Sequence, residues 1–414
     1  MARSLSMYDI FEQLRADEKN TKRTLHLTAN ENVMSELALS FCSSELGYRY
    51  HLGSFDDQGR NIDAPCYVTH NLMIRSFPSL LALEKKARDC ACQMFQAAYC
   101  DFRCLSGMHA AIATILTNTK LGETVTIFST ESVGHHATIS LLKHIGRNIE
   151  FMPWDFENHN IDLESFAKNI KRKPPTTIFF DFGTTFFPLP IEQIRTLVGP
   201  EVLMIYDASH VLGLIAGGQF QSPLKEGCDI LIGNTHKTFP GPQKGVILYK
   251  DEQHGKKLAD EIFASVLSTQ HTHHTIALYI TMIEMHQIGR AYAEQIIINN
   301  KAFAHALEQE GFSVFKSESH KLALVNGPFH EECGLLQKNG ISANSRMIFN
   351  RPCIRFGVQE VTRKGMKASE MPYIASLIKR ALSHEDVIQD VWDLTQTFSK
   401  IWSGDISEKM HVYC

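Results

Sequence analysis

The sequence predicts an α/β protein: a large domain built on a mainly parallel sheet covered by helices, followed by a smaller C-terminal α+β domain. Three observations carry this. Six short runs in the middle of the chain are nearly continuous in apolar, β-branched and aromatic residues: 124–129 "TVTIFS", 149–154 "IEFMPW", 176–182 "TTIFFDF", 202–209 "VLMIYDAS", 228–233 "CDILIG" and 245–250 "GVILYK". Strands buried on both faces read this way. Helical patterns such as "IDLESFAKNIKR" and "PIEQIRTLVG" separate most of them, and that alternation is the signature of a parallel sheet with crossover helices. Beyond the runs, "HTIALYITMIEMHQIGRAYAEQIIINNKAFAHALEQEG" reads as one long helix or a pair, suited to joining two domains.

Taken in order, residues 1–50 are expected to form an N-terminal arm. The large domain is expected over 51–289 and the small one over 290–414. Ahead of the first run, Ser106 is a good N-cap, Ile112, Ile115 and Leu116 form a helical stripe, and Gly122 is a stop signal. The small domain carries strand signals at "FSVFKS" and "CIRFGV", and "SHEDVIQDVWDLTQTFSKIW" predicts a terminal amphipathic helix.

Composition excludes several classes. Of the 414 residues, 44% are hydrophobic and 21% charged, and the net charge of −4 is spread without a basic stripe, so no nucleic-acid partner is expected. No run approaches 18 uninterrupted apolar residues, and the first twenty do not read as a signal peptide, so no membrane association and a cytoplasmic location are expected. Cys90, Cys92, Cys100 and Cys104 match no common zinc spacing. The histidines His271, His273 and His274 lie close together in "HTHHT", but no metal is expected there either.

The chemistry concentrates at strand ends, where open α/β sheets bind ligands. Asp207 ends "VLMIYD", and Lys237 lies in "GNTHKTFPGPQKG" on the turn between two strands. The helix beginning at Ser106 and Gly107 offers free N–H groups that suit a phosphate. Phosphate cradle, carboxylate and lysine together fit pyridoxal phosphate, the lysine forming an imine and the carboxylate keeping the ring nitrogen protonated. A carboxylate ~4 Å from a pyridinium contributes ~4 kcal/mol at an effective dielectric of about 20, or roughly three pKa units. Plainer alternatives stay open on spacing alone: Asp207 as a helix cap and Lys237 as a solvated loop residue.

Several stretches, in order along roughly residues 25–385, resemble serine hydroxymethyltransferases, enzymes of the aspartate-aminotransferase-like fold (fold type I) of pyridoxal phosphate proteins. They are "LTANENVMS", "SGMHAAIATIL", "VGHHAT", "YDASHVLGLIAGGQF", "GNTHKTFPGPQKGVILYKDE" and "RFGVQEVTRKGM". The resemblance implies that Lys237 forms the imine, Asp207 pairs with the pyridine nitrogen with His210 following it, and His135 stacks on the ring. Ser106 and Gly107 would bind the phosphate with His236 close by, and Thr185 would supply a small hydroxyl near the cofactor. Arg355 would grip the substrate carboxylate in bidentate geometry that lysine cannot copy. Glu45 falls near the family's catalytic glutamate. Tyr50 matches one of a pair of active-site tyrosines, the second having become His51. The resemblance also implies a homodimer with shared sites, in which Ser268 and Thr269 replace paired glycines that reach the neighbouring subunit's phosphate.

The implied reaction makes or breaks the Cα–Cβ bond of a β-hydroxy-α-amino acid, with a small-molecule amino acid and an aldehyde as substrates. Folate-dependent members hold tetrahydrofolate with two leucines flanking the ring-stacking histidine and with a loop before the arginine. Thr130 and His136 stand at those positions here, and the loop at 341–351 is shorter. The expectation is therefore a folate-independent relative most like a threonine transaldolase or aldolase. Alternatives are a tetrahydrofolate-dependent hydroxymethyltransferase acting on serine or α-methylserine, and a non-catalytic cofactor-binding regulator.

Overall fold

A computed structural model describes residues 6–51, 66–69, 72–75, 77–327, 329–349 and 351–404. Its centre is a seven-stranded sheet. In chain order the strands are β1 (Tyr99–Asp101), β2 (Thr124–Ile127), β3 (Asn148–Phe151), β4 (Thr177–Phe180), β5 (Leu203–Asp207), β6 (Ile230–Asn234) and β7 (Gly245–Tyr249), arranged β1-β7-β6-β5-β4-β2-β3. All six apolar runs became strands of this sheet. Pairing is parallel from β6 through β5, β4 and β2 to β3, and only β7 runs against its neighbours β6 and β1. Residues of β2, β4 and β7 are buried throughout, which is why these runs lack polar alternation.

Four successive strand ends open on one edge. The register Asp207↔Ile232 sets the end of β5 beside β6, five residues before Lys237. The segments leaving β2 and β4 are tied together by a bridge between Gly134 and Phe182 and by Gly183 N–H donating to Val133 O at 2.7 Å. Helix α1 (Gly107–Asn118) begins beside the same edge. Gly245 permits this, since a Cβ there would stand 2.2 Å from Ser106 O.

The long helical pattern is one 38-residue helix, α2 (Thr272–Gln309), with no break at the expected boundary of 289/290. Gly217 has a packing reason set by this helix. The helix backbone passes so close to Gly217 that a Cβ on Gly217 would meet Gly289 O at 2.3 Å. Beyond it, β8 (Val314–Phe315), β9 (Lys321–Val325), β10 (Asn344–Ile348) and β11 (Arg351–Gly357) form an antiparallel sheet in the order β8-β9-β11-β10. The segment 341–351, read from sequence as a loop, is therefore mostly strand. Phe349 turns the hairpin at φ 47° and packs on an aromatic cluster that includes His159, Phe186 and Phe315. The N-terminal segment is not a free arm throughout: Leu25–His26 pair in parallel with Ile341–Ser342.

Lys321 is the unexpected residue of the small sheet. Residues directly opposite in an antiparallel pair share a face, so the register Ala323↔Arg355 puts Lys321 on the same face as Arg355. Lys321 is fully buried, its Nζ has no hydrogen-bond partner among the described residues, and it lies 5.7 Å from the centre of the Phe186 ring. Burial, reinforced by the charges of Arg355, Lys237 and Arg346, holds its pKa well below the ordinary lysine value. The folded chain thus disfavours the charged form of this amine, whereas the unfolded chain protonates it below pH ~10.4. Lys321→Met is expected to stabilise the protein at pH 7, by about 1–4 kcal/mol if it behaves like other buried ionic groups exchanged for apolar ones. The gain should shrink as pH rises toward 10, because the unfolded amine then loses its proton too. Denaturant unfolding at the two pH values measures both effects.

Candidate active site

The strand ends and the small sheet enclose a cleft of about 640 Å³. Lys237, His135, His210 and Gly183 come to it from the large sheet, and Arg355, Asn344 and Arg346 from the small one. Thr130 and His136 form part of its wall.

The turn that presents Lys237 is held from several sides. Thr235 Oγ1 donates to Pro242 O at 2.6 Å, and Gly241 N–H donates to Thr235 O at 2.8 Å. Asn32 Nδ2 donates to Lys237 O at 2.6 Å and to Tyr292 Oη at 2.9 Å. Thr238 Oγ1 donates to His210 O at 2.9 Å, locking this turn to the one after β5. Lys237 Nζ lies 3.5 Å from His210 Nε2. Burial lowers the lysine pKa to about 8 against the opposing pull of Asp207, with Arg355 and Arg346 adding to the depression. A substantial fraction of the amine is therefore uncharged near neutral pH.

Asp207 accepts the Ser209 N–H at 2.8 Å, and burial raises its pKa although Lys237 and His135 act against the shift. His135 precedes the helix His136–His144, and its own N–H donates to Asp181 Oδ2 at 3.3 Å. Burial lowers the His135 pKa, so the ring is uncharged at neutral pH. Burial depresses His210 further and brings His236 to about 4.

At α1, Ser106 Oγ accepts the His109 N–H at 3.0 Å and Gly107 N–H donates to Asn234 Oδ1 at 3.0 Å. A Cβ at Gly107 would stand 2.7 Å from the Asn234 side chain, which would have to shift and give up its bond to the Gly107 N–H. Cradle, desolvated lysine and nearby carboxylate form a donor set that suits pyridoxal phosphate. The buried nitrogens His210 Nδ1, His236 Nδ1 and Arg355 Nε, none of which has a partner among the described residues, fit a polar ligand as well.

Arg355 is oriented by neutral oxygens. Its Nη1 donates to Thr184 Oγ1 at 3.2 Å, and its Nη2 donates to Asn30 Oδ1 at 2.8 Å and Asn344 Oδ1 at 3.1 Å. With no carboxylate among these acceptors, the guanidinium is prepared for an incoming anion. Arg355→Lys is expected to lose a bidentate pair, roughly 2–3 kcal/mol, while cofactor binding holds. The KM for the amino acid should rise about 30- to 150-fold, measured by steady-state kinetics. Asn30, Thr184 and Asn344 were not singled out in the sequence, although Asn30 lies within the quoted "LTANENVMS".

Four groups of expected site residues lie elsewhere. Thr185 is buried and its hydroxyl has no partner among the described residues, and it is the preceding Thr184 that reaches Arg355. His51 is buried against Glu84, 3.1 Å from its carboxylate, and sits edge-on to Tyr279, so its ring is spent on the interior of its own chain. Glu45 and Tyr50 are exposed outside the cleft, as are Ser268 and Thr269. The two segments are neighbours. Thr272 Oγ1 donates to Arg49 O at 2.6 Å, Gln270 Nε2 donates to His51 O, and Gly47 packs on His273. They form one exposed patch at the start of α2.

Comparison with known proteins identifies the family. The chain is 37% identical over 387 residues to the fluorothreonine transaldolase of Streptantibioticus cattleyicolor, covering 91% of this chain but 60% of that longer protein. It is 35% identical over 414 residues to the serine hydroxymethyltransferase of Pyrococcus furiosus, covering 93% of each. The crystal structure of L-threonine transaldolase from Pseudomonas fluorescens in its internal aldimine state superposes with a TM-score of 0.85 at 30% identity, covering 94% of this chain and 91% of that one. The family model for serine hydroxymethyltransferase matches residues 5–378. The chain therefore belongs to the serine hydroxymethyltransferase family of fold type I, pyridoxal phosphate-dependent enzymes.

Proposed function

We propose that the protein is a folate-independent threonine transaldolase, transferring the glycine portion of L-threonine to an aldehyde, and that it works as a homodimer. The observation that carries this reading is a cleft that combines Lys237, His135 and Arg355 with polar walls at Thr130 and His136. Two leucines at such positions would contribute roughly 3–6 kcal/mol of apolar contact, taking ~1.5–3 kcal/mol per side chain. Without them a pterin loses about two to four powers of ten in affinity.

When bound, pyridoxal phosphate supplies an aldehyde that condenses with amines and a protonated ring that accepts the electron pair released at Cα. The protein's residues do the rest. Arg355, steadied by Thr184, Asn30 and Asn344, fixes the substrate carboxylate and so the orientation of the Cα–Cβ bond. Lys237, with its lowered pKa, can give up or take a proton near neutral pH. The β-hydroxyl proton needs an uncharged or anionic acceptor. His135 offers an uncharged ring at the cleft, and Glu45 of a second copy offers a carboxylate. The dimer is supported by the patch carrying Glu45, Tyr50, Ser268 and Thr269, which a second copy would present to this chain's cleft. It is supported too by the helix Met7–Arg23, whose Met7, Ile10, Phe11 and Leu14 form an apolar stripe left exposed in the single chain. No described helix is long and apolar enough to cross a membrane, and the cysteines described as free suit a reducing compartment such as the cytoplasm.

The second reading, a tetrahydrofolate-dependent hydroxymethyltransferase, is favoured by near-complete mutual coverage with the Pyrococcus furiosus enzyme. Acetaldehyde release from L-threonine, followed with and without tetrahydrofolate, separates the two. The proposed function predicts release that is indifferent to folate. Cleavage of serine that requires micromolar tetrahydrofolate would establish the second reading.

A further inference from the structure

We infer that the acceptor aldehyde carries an anionic group, a carboxylate or a phosphate, and that Arg346 is the residue that selects it. This deepens the transaldolase reading and rests on it.

Strand register supplies the first observation. In the β10–β11 pair, Asn344 lies opposite Arg355 and Arg346 opposite Cys353. Alternation along each strand therefore puts Asn344, Arg346 and Arg355 on one face, and all three line the cleft. The second observation concerns what Arg346 touches. Its Nη1 donates to Gly183 O at 2.9 Å and Thr184 Oγ1 at 3.3 Å, and its Nε reaches Met347 O at 3.4 Å. The Thr184 hydroxyl is the one that also receives Arg355. Two guanidinium groups thus converge on one hydroxyl, and every hydrogen bond either makes among the described residues goes to a neutral oxygen. Burial, and then the charge of Arg346, pull the pKa of Arg355 down, as expected of a cation with no carboxylate beside it.

Charge accounting then isolates Arg346. The substrate carboxylate occupies Arg355. The cofactor's phosphate would be held at the N-terminus of α1 and its ring nitrogen would face Asp207, while the Lys237 amine would be taken up in holding the cofactor's aldehyde. Arg346 remains a cation facing the cleft with no anion assigned. Its neighbours on the wall are Thr130, His136 and Ser345, all able to hydrogen-bond an oxyanion. A planar guanidinium held at one edge by Gly183 and Thr184 presents its other edge, Nη2, to such a group, and Nη2 has no protein partner among the described residues.

The test uses the holoenzyme with L-threonine as donor and paired charged and neutral acceptors: 4-formylbenzoate against 4-formylbenzamide, which are close in size, and glyceraldehyde 3-phosphate against glyceraldehyde. Product β-hydroxy amino acids are quantified for each. The wild type should favour the charged member of at least one pair by about tenfold or more in kcat/KM, and added salt should reduce that preference. Arg346→Gln should lower turnover of the charged acceptor about tenfold more than that of its neutral counterpart, with Arg346→Lys between. Equal use of charged and neutral acceptors by the wild type, or an unaltered ratio in Arg346→Gln, overturns the inference and leaves the transaldolase reading standing. A selective rise in the KM for threonine in Arg346→Gln also overturns it, because Arg346 would then serve the donor carboxylate. Failure to turn over any of the four aldehydes, with threonine left intact, refutes the transaldolase reading and the inference with it.

Discussion

Lys237→Ala is expected to abolish covalent attachment of the cofactor and to lower turnover roughly 10²–10⁴-fold, the range for removing a positioned proton-transfer group, or more where anchoring is also lost. The reason is local. Lys237 lies in the cleft 3.5 Å from His210, and burial lowers its pKa to about 8. An amine must be uncharged to attack an aldehyde, so capture of pyridoxal phosphate by the apoprotein should quicken as pH rises toward 8 and level off above it. Borohydride treatment of the wild type should then leave the cofactor on Lys237. The competing amine is Lys244, whose pKa burial also lowers, to about 7. Its Nζ, however, donates to Gln270 O at 2.7 Å in a fully buried position outside the cleft. Label found on Lys244 in place of Lys237 would contradict the assignment.

Asp207→Asn is the second large effect. A carboxylate ~4 Å from a pyridinium contributes about 4 kcal/mol at an effective dielectric of 20, and that much lost from the transition state is about a thousandfold in rate. The asparagine keeps size and one acceptor oxygen for the Ser209 N–H but removes the charge, so the fold and some cofactor binding should survive. Titration of the variant with pyridoxal phosphate, beside its threonine cleavage rate, separates binding from chemistry. A rate within about threefold of the wild type, a loss of under 1 kcal/mol, would remove Asp207 from the mechanism.

The parts of this architecture that were legible in sequence are those where one stretch carries the whole signal. Buried strands such as Thr177–Phe180 carry β-branched or aromatic residues at every position, and α1 has its cap and its apolar stripe within a dozen residues. β1 was missed because three residues, Tyr99–Asp101, are too few to show a pattern. The 344–351 hairpin was missed because its residues are mixed in character and its turn is held by aromatic rings from distant segments. At the site, charged and ring-bearing residues announced themselves, and the neutral ones that aim them did not. Asn30 acts on Arg355 across 325 positions, and no local pattern encodes such a contact. Thr184 and Thr185 are adjacent and chemically identical, and only the path of the backbone after β4 decides which hydroxyl meets the arginines. For His51, position in a motif pointed to the cleft, whereas a buried carboxylate at Glu84 gives the ring a partner inside its own chain.

Arg355, Lys237 and Asp207 are expected to serve a Cα–Cβ bond exchange that needs no folate. The most direct measurement incubates the holoenzyme with L-threonine carrying ¹³C at its carboxyl and Cα positions, an unlabelled aromatic aldehyde and no tetrahydrofolate, and follows the carbons by NMR. A new β-hydroxy amino acid should form in which the labelled Cα is bonded to the aldehyde's carbon and still carries the labelled carboxyl, with acetaldehyde released alongside it. Labelled carbons that remain in threonine until tetrahydrofolate and serine are supplied would contradict it.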